Sequence, residues 1–371
     1  AFLIQDAIKR QMVSDVPICT FLSGGVDSSV VSAVCAAELK KQGKKLTTFS
    51  FDFIDNDKYF KANSFQPSQD RPYVDKMVSF LDSDHHYLEC DNKMQADLLY
   101  RSVDAHDLPC MADIDSSLQY FCEEVSHSHK VVLTGECADE VFGGYPWFHR
   151  EEMLNSGTFP WTPSLTPRKV LLKDNLVKSL HMDEYVKKIY DRSVSEINVL
   201  PSENEIETNR RRIGYLNIRF FMQTLLNRMD RTSMFSGLEA RVPFADRKLV
   251  DYVFNIPWEM KAKDGLVKNI LRQASKGLLP DEILFRRKSP YPKTYNPYYE
   301  NLLAKRLKEV LSDSASPLHS LLDLKQVTQF LDNPKDYGAP WYGQLMAGPQ
   351  MIAYLLQIEY FLRKYNVSIR I

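Results

Sequence analysis

The chain has 371 residues, 44% hydrophobic and 26% charged, with 47 basic side chains against 48 acidic ones and a formal net charge of −1. This is the composition of a globular protein of one large domain or two, and it carries no global basic field for nucleic acid or a membrane surface. No apolar run approaches the roughly 18–20 residues of a membrane-spanning helix, and no signal peptide opens the chain.

The six cysteines (19, 35, 90, 110, 122 and 137) show neither a CxxC pair nor a Cys/His ligand spacing. Reduced thiols in a cytoplasmic protein are therefore expected, with no zinc and no disulfide framework. The chain opens at Ala1 without methionine, inside a helical pattern (Phe2, Ile4, Ile8, Met12), as the C-terminal portion of a longer protein would. Residues 17–22 then read as a short buried strand, apolar and β-rich. Ser23-Gly24-Gly25-Val26-Asp27-Ser28-Ser29 follows, and Val30, Val31, Val34, Ala37 and Leu39 continue at helical spacing.

A strand running through a glycine turn into a helix makes an anion site. The glycines let backbone approach the ligand, and the helix N-terminus offers unpaired N–H groups and a positive dipole. Ser23, Ser28 and Ser29 add hydroxyl donors. Asp27 is out of place in such a cradle unless a divalent cation lies between it and the phosphates. The bland alternative is that these residues only cap a helix. The seven residues match the pyrophosphate loop of the ATP pyrophosphatase family, and neither a Walker loop nor a GxGxxG turn.

Further along, 46–53 is a second strand, 54–70 a loop, 72–81 a helix and 85–90 a third strand. His85 and His86 are adjacent on that strand and point to opposite faces, so a structural role is expected rather than a shared metal. Helices over 93–106 and 115–127 precede a strand at 130–135. Strands alternating with helices imply a parallel sheet, with ligands at the C-terminal strand ends. The second special turn, 135–145, places Glu136, Asp139 and Glu140 just past a buried strand. Such carboxylates are favoured at a helix N-terminus, but together with Asp27 they suggest a Mg²⁺ site held by Asp27 and Asp139, with Glu136 left for proton transfer.

Residues 159–167 form a proline-rich bridge, beyond which helical periodicity dominates over 170–200, 203–236, 246–254, 265–276, 299–311, 319–332 and 345–364. Lys268 and Arg272 are spaced i, i+4 and would share a helix face toward phosphate oxygens, or simply toward solvent. Arg286-Arg287-Lys288 precedes a rigid Ser-Pro-Tyr-Pro segment, either as a surface turn or as a clamp on pyrophosphate. Arg228 lies mid-helix among apolar residues, either paired or facing a substrate pocket, whereas Arg241 reads as structural.

The chain resembles the synthetase domain of the glutamine-hydrolysing asparagine synthetase family. The matching segments are 14–29 (SDVPICTFLSGGVDSS), 84–91 (DHHYLECD), 133–145 (LTGECADEVFGGY), 227–247 and 268–288. The resemblance implies an α/β fold, a pyrophosphate-loop parallel sheet over 1–160 merged with a mostly helical part over 161–371. It implies ATP and Mg²⁺ as cofactors, and aspartate and ammonia as substrates. Asp27 and Asp139 fall on the magnesium-binding aspartates, Glu136 on the general base and Lys288 on the lysine that steadies the phosphates. Leu22, Ser23, Gly24, Gly25, Asp27, Ser28, Ser29, Phe51, Gly135, Lys268 and Arg272 fall along the nucleotide, and Tyr145 and Arg228 toward the substrate.

Two positions depart from the family pattern: Cys137 stands where glycine is usual, and Asp52 where the second strand commonly ends in glycine. The family's N-terminal glutaminase half does not occur in this stretch, so free ammonia is the expected nitrogen donor. Oligomeric state is left open, a homodimer included. The rival readings are a ring-closing relative of the β-lactam synthetase kind and a nucleotide-binding module without chemistry. Residues 221–226 offer no carboxylate for the former, and intact Asp27, Glu136, Asp139 and Lys288 argue against the latter.

Overall fold

The structure, a computed structural model, describes residues 1–62, 66–334 and 346–370. It forms two compact units that interleave along the chain: residues 1–91, 120–148 and 217–295 in the first, and 92–119, 149–216 and 296–371 in the second.

The first unit is built on a parallel five-stranded sheet in the order β3-β2-β1-β4-β5, with β1 Ile18–Phe21, β2 Thr47–Phe53, β3 Asp84–Cys90, β4 Val131–Leu133 and β5 Glu239–Arg241. β1 is central, and its residues Cys19 and Thr20 are fully buried. It pairs with Thr47–Phe49 on one side and Val131–Leu133 on the other. Strand order reverses between β1 and β4, so the crevice at their C-terminal ends is the switch point where doubly wound sheets bind ligands.

The helix Val26–Lys41 leaves β1 after the glycine turn and buries Val30, Val31, Val34 and Cys35 against the sheet. Because Thr20 and Ser32 hydroxyls meet at 2.7 Å, the buried polar groups between strand and helix satisfy each other. The β3 histidines are structural: the His85 ring bonds to the Thr48 and Ser50 hydroxyls at 2.7 and 3.0 Å, and His86 stacks on Phe49.

β5 has no counterpart among the strands read from sequence. It is a three-residue edge strand in which Glu239 and Arg241 flank Ala240, too short and too polar to show a strand period. Arg241 is structural, donating to the Gln11 and Val13 carbonyls where the first helix ends. The loop expected over 54–70 carries a helical turn at Asn56–Tyr59, with 63–65 outside the described residues.

In the second unit the helices Asn92–His106, Pro297–Ser312 and Gly348–Lys364 pack on one another. Residue 345, where the last helix was expected to begin, lies outside the described residues. The expected 170–200 helix divides at His181, whose φ of 44° lies in the left-handed region, and 319–332 divides where Asp323 caps Leu324–Asp332. Phe159, Trp161 and Leu165 of the proline-rich bridge are buried. Among the described residues, no helix is long and apolar enough to cross a membrane.

Candidate active site

The two special turns meet at the switch point, inside the first unit. Gly24 has φ +68°, and a Cβ there would stand 2.7 Å from that of Tyr73, so only glycine satisfies both backbone and space. At Gly135 a Cβ would come within 2.5 Å of the Ser28 amide nitrogen, so the turns after β1 and β4 touch backbone to backbone. The Ser28 hydroxyl accepts from Ser23 N at 3.1 Å and contacts the Ser23 hydroxyl at 3.0 Å, closing the first turn on itself. Ser29 is fully buried. Leu22 is buried, and its amide donates to Phe49 O at 2.8 Å.

Across these turns lies one connected ion cluster. Lys268 Nζ sits 2.6 Å from Asp27 and 2.9 Å from Asp139, and Lys288 Nζ sits 2.5 Å from Asp139. Lys268 is 2% exposed, so its ammonium is compensated by the two carboxylates rather than by water. Burial pushes the Asp27 carboxyl up, and Lys268 offsets that only in part. Burial also penalises Asp139, yet its two ammonium partners prevail and hold it well below the usual carboxylate range. Burial lowers Lys268, and the two carboxylates more than reverse it. Gly144 makes room for this arrangement: a Cβ there would fall 1.8 Å from Asp139 Oδ1.

Glu136 begins the second turn and is ion-paired with Arg228, both largely buried. Glu136 is therefore held by a partner, whereas the sequence left it unengaged. Tyr145 donates to Glu140 at 2.6 Å and stacks on Trp147, and Lys288 Nζ lies 4.9 Å from its ring centre. Burial first, and Asp139 second, push the Glu140 carboxyl up to about 7. Phe51 packs on Phe121 and Tyr291, beside the ring of Phe21, in an aromatic wall along the ends of β1 and β2.

Two cations are placed differently from the sequence reading. Lys268 does not share a helix face with Arg272. It is the left-handed N-cap, with φ 56°, of a helix that starts only at Asn269, because Asp264 and Gly265 turn the preceding chain back with φ 53° and 75°. Arg272 faces backbone: its guanidinium donates to the Val267, Leu284 and Arg286 carbonyls and so fixes the segment that leads to Lys288. Arg286 likewise spends its donors on Ser23 O (3.0 Å) and Asp70 (2.5 Å) while lying over the Tyr73 ring. Asp70 and Tyr73 were missed because nothing local marks them; their partners lie more than 200 residues away. Cys137 takes φ +70°, the conformation that glycine adopts freely. Asp52 accepts from Phe53 N and Asn56 Nδ2, closing the end of β2.

The asparagine synthase family model matches residues 1–363. The chain belongs to this family. Among its curated relatives, asparagine synthetase [glutamine-hydrolyzing] 3 of Bacillus subtilis is 49% identical over 369 residues, covering 99% of this chain and 60% of the relative. Asparagine synthetase [glutamine-hydrolyzing] 1 of the same organism is 26% identical over 344 residues (84% of this chain, 52% of the relative). The amidase chyE of Penicillium rubens is 28% identical over 342 residues (77% and 50%). The chain thus spans 60% or less of the length of these relatives.

Proposed function

We propose that this chain carries out the AMP-forming synthesis of asparagine from aspartate, ammonia and ATP. The observation that carries the reading is the ion cluster at the switch point, where turns from two neighbouring strands bring Asp27, Asp139, Lys268 and Lys288 together beside Glu136. The aspartate side-chain carboxylate attacks the α-phosphorus of ATP, the bond to the β-phosphate oxygen breaks, and pyrophosphate leaves. Lys288 and the N–H groups of the Ser23–Ser29 turn stabilise the charge that gathers on the leaving group. Ammonia then attacks the acyl carbon of the mixed anhydride. Glu136 takes the proton from its nitrogen, and the C–O bond to AMP breaks. Arg228 orients Glu136 through their ion pair, and Tyr145 and Arg228 border the aspartate.

The residues suit Mg²⁺ as well. Asp27 and Asp139 already share one cation, the Lys268 ammonium, and Asp27 Oδ1 is buried without a hydrogen-bond partner among the described residues. They would hold the ion, which supplies charge neutralisation for the pyrophosphate. Leu22, Gly24, Gly25, Ser28, Ser29, Phe51 and Gly135 border the nucleotide in this reading, with Phe51 in the aromatic wall. Arg272 acts one step back, by positioning the segment that carries Lys288. The nitrogen enters this site as ammonia, and the reaction belongs to the cytoplasm.

Glu136→Gln tests the assignment. Aspartate-dependent exchange of labelled pyrophosphate into ATP should persist, while asparagine formation falls by about 10²–10⁴-fold, the usual worth of a positioned base. Unchanged asparagine formation would remove Glu136 from the chemistry. Exchange supported by ATP alone, with no acid needed, would contradict the adenylylation step.

A further inference from the structure

The second unit holds a cluster of ligand-type side chains that this chemistry does not use. His106 is the last residue of the helix Asn92–His106, Cys110 lies in the following loop, and Asp115 is in the first turn of the helix Asp113–Ser126. One donor atom from each, a ring nitrogen, the thiol sulfur and a carboxylate oxygen, all lie within 4.8 Å of one another. His106 Nε2 stands 3.9 Å from Asp115 Oδ2, with side chains 11% and 1% exposed. The cysteine spacing predicts no metal site. The loop supplies what spacing does not: Asp107 and Ala112 both take positive φ, and Met111 N donates to Asp115 Oδ2 at 2.5 Å, so the chain doubles back and brings Cys110 between the two helix ends.

A second set of groups already serves the sulfur. Gln357, fully buried on the helix Gly348–Lys364, donates from Nε2 to Cys110 Sγ at 3.2 Å and accepts from Cys110 N at 3.2 Å through Oε1. The two Gln357 Nε2 protons are shared with the Ser102 hydroxyl (3.0 Å) and Leu99 O (3.2 Å), and Cys110 Sγ donates to that hydroxyl at 3.5 Å. A donor aimed at a cysteine sulfur favours its anionic, metal-binding form, and outer groups of this kind orient ligands in known metal sites.

We propose that His106, Cys110 and Asp115 bind a divalent cation of the zinc class, with the fourth position open to water. One sulfur, one imidazole nitrogen and one carboxylate oxygen form a borderline donor set suited to tetrahedral zinc or cobalt, unlike the all-oxygen set that magnesium prefers. Ligands on a tetrahedral zinc stand roughly 3.3–3.8 Å apart, given metal–ligand distances of about 2.0–2.3 Å, so side-chain rotations of about an ångström close the site. Burial and Asp115 hold the free thiol protonated. On binding, that proton leaves to solvent and the sulfur lone pair forms the metal bond.

The test uses the full chain, reduced, stripped with a chelator and kept in excess Mg²⁺ to occupy carboxylate sites. It is titrated with Co²⁺ and then with Zn²⁺. The expected result is one equivalent of Co²⁺ giving a thiolate-to-cobalt charge-transfer band and tetrahedral d–d bands, both erased by Zn²⁺. Cys110→Ser should abolish the charge-transfer band with far-ultraviolet circular dichroism unchanged. His106→Gln and Asp115→Asn should each weaken binding by about tenfold or more. Cys137→Ser, which alters the thiol next to Glu136 in sequence, should leave the band intact. Absence of the band in folded wild type at stoichiometric cobalt would overturn the proposal. So would a band that survives Cys110→Ser or vanishes in Cys137→Ser.

Discussion

At the scale of single residues, the site is a contest between burial and pairing. Asp27 and Asp139 face the same ammonium, yet burial prevails at Asp27 and pushes it up, whereas Asp139 is held down because Lys288 also hydrogen-bonds it and reaches Asp27 only at longer range. Two like carboxylates with opposed shifts are what a low-dielectric site makes of unequal neighbours. The identity of these acids was legible from their place after two predicted strands. The Glu136–Arg228 pair was not, since nothing local says which of two outcomes, partner or pocket, a mid-helix arginine takes.

Cys137 is instructive for the opposite reason. Its departure from a glycine pattern is visible in the sequence, and its left-handed backbone explains the pattern; a side chain there costs about 1–2 kcal/mol. His85 gives a testable titration. Burial, with His86 second, lowers its pKa from 6.5 to about 4, so the folded protein binds this proton less readily than the unfolded chain. Its contribution to stability is therefore complete above about pH 6.5 and is lost as pH falls through about 4. For a half-buried ring that amounts to about 1–2 kcal/mol after solvent screening. Denaturant unfolding of His85→Gln should show a correspondingly shallower loss of stability between pH 7 and 4. An identical pH slope in variant and parent would refute this.

At the scale of elements, glycine turns rather than helices set the geometry. The sequence placed β1 to β4 and most helices because their apolar residues recur at periods of 2 or 3.6. It did not place β5, whose three residues carry too little pattern. It also merged 203–236 into one helix, where a π-helical segment at Asn217–Met222 interrupts the run. Such segments keep helical spacing nearly intact and so leave little trace in periodicity. The i, i+4 reading of Lys268 and Arg272 failed for a related reason: an Asp-Gly turn delays the helix start to Asn269. The contact between the turns after β1 and β4 is the element-level feature most open to test. In Gly135→Ala the new methyl would meet the Ser28 backbone at 2.5 Å, which cannot move aside as a flexible side chain would. Stability should fall by about 1–3 kcal/mol. Because Asp27 moves with the turn, kcat/KM for ATP should fall by about tenfold or more. Thermal unfolding and steady-state kinetics would check both, and a fully active variant would mean the turns are not coupled.

At the scale of the whole molecule, a parallel sheet with its strand order reversing between β1 and β4 places two sequence motifs, more than 100 residues apart, at one crevice. The α/β sheet and the helical remainder were both legible in the alternation of strands and helices. The interleaving of the two compact units was not, because it depends on long-range packing that the proline-rich segment at 159–167 does not announce. The central claim is that an aspartate carboxylate oxygen attacks the α-phosphorus of ATP. The most direct measurement supplies aspartate labelled with oxygen-18 in its side-chain carboxylate, together with ammonia and Mg²⁺-ATP, and follows the label by mass spectrometry. One labelled oxygen in each AMP formed, matched by one pyrophosphate and one asparagine, is the predicted result. Unlabelled AMP, or ADP and phosphate in place of AMP and pyrophosphate, would contradict it.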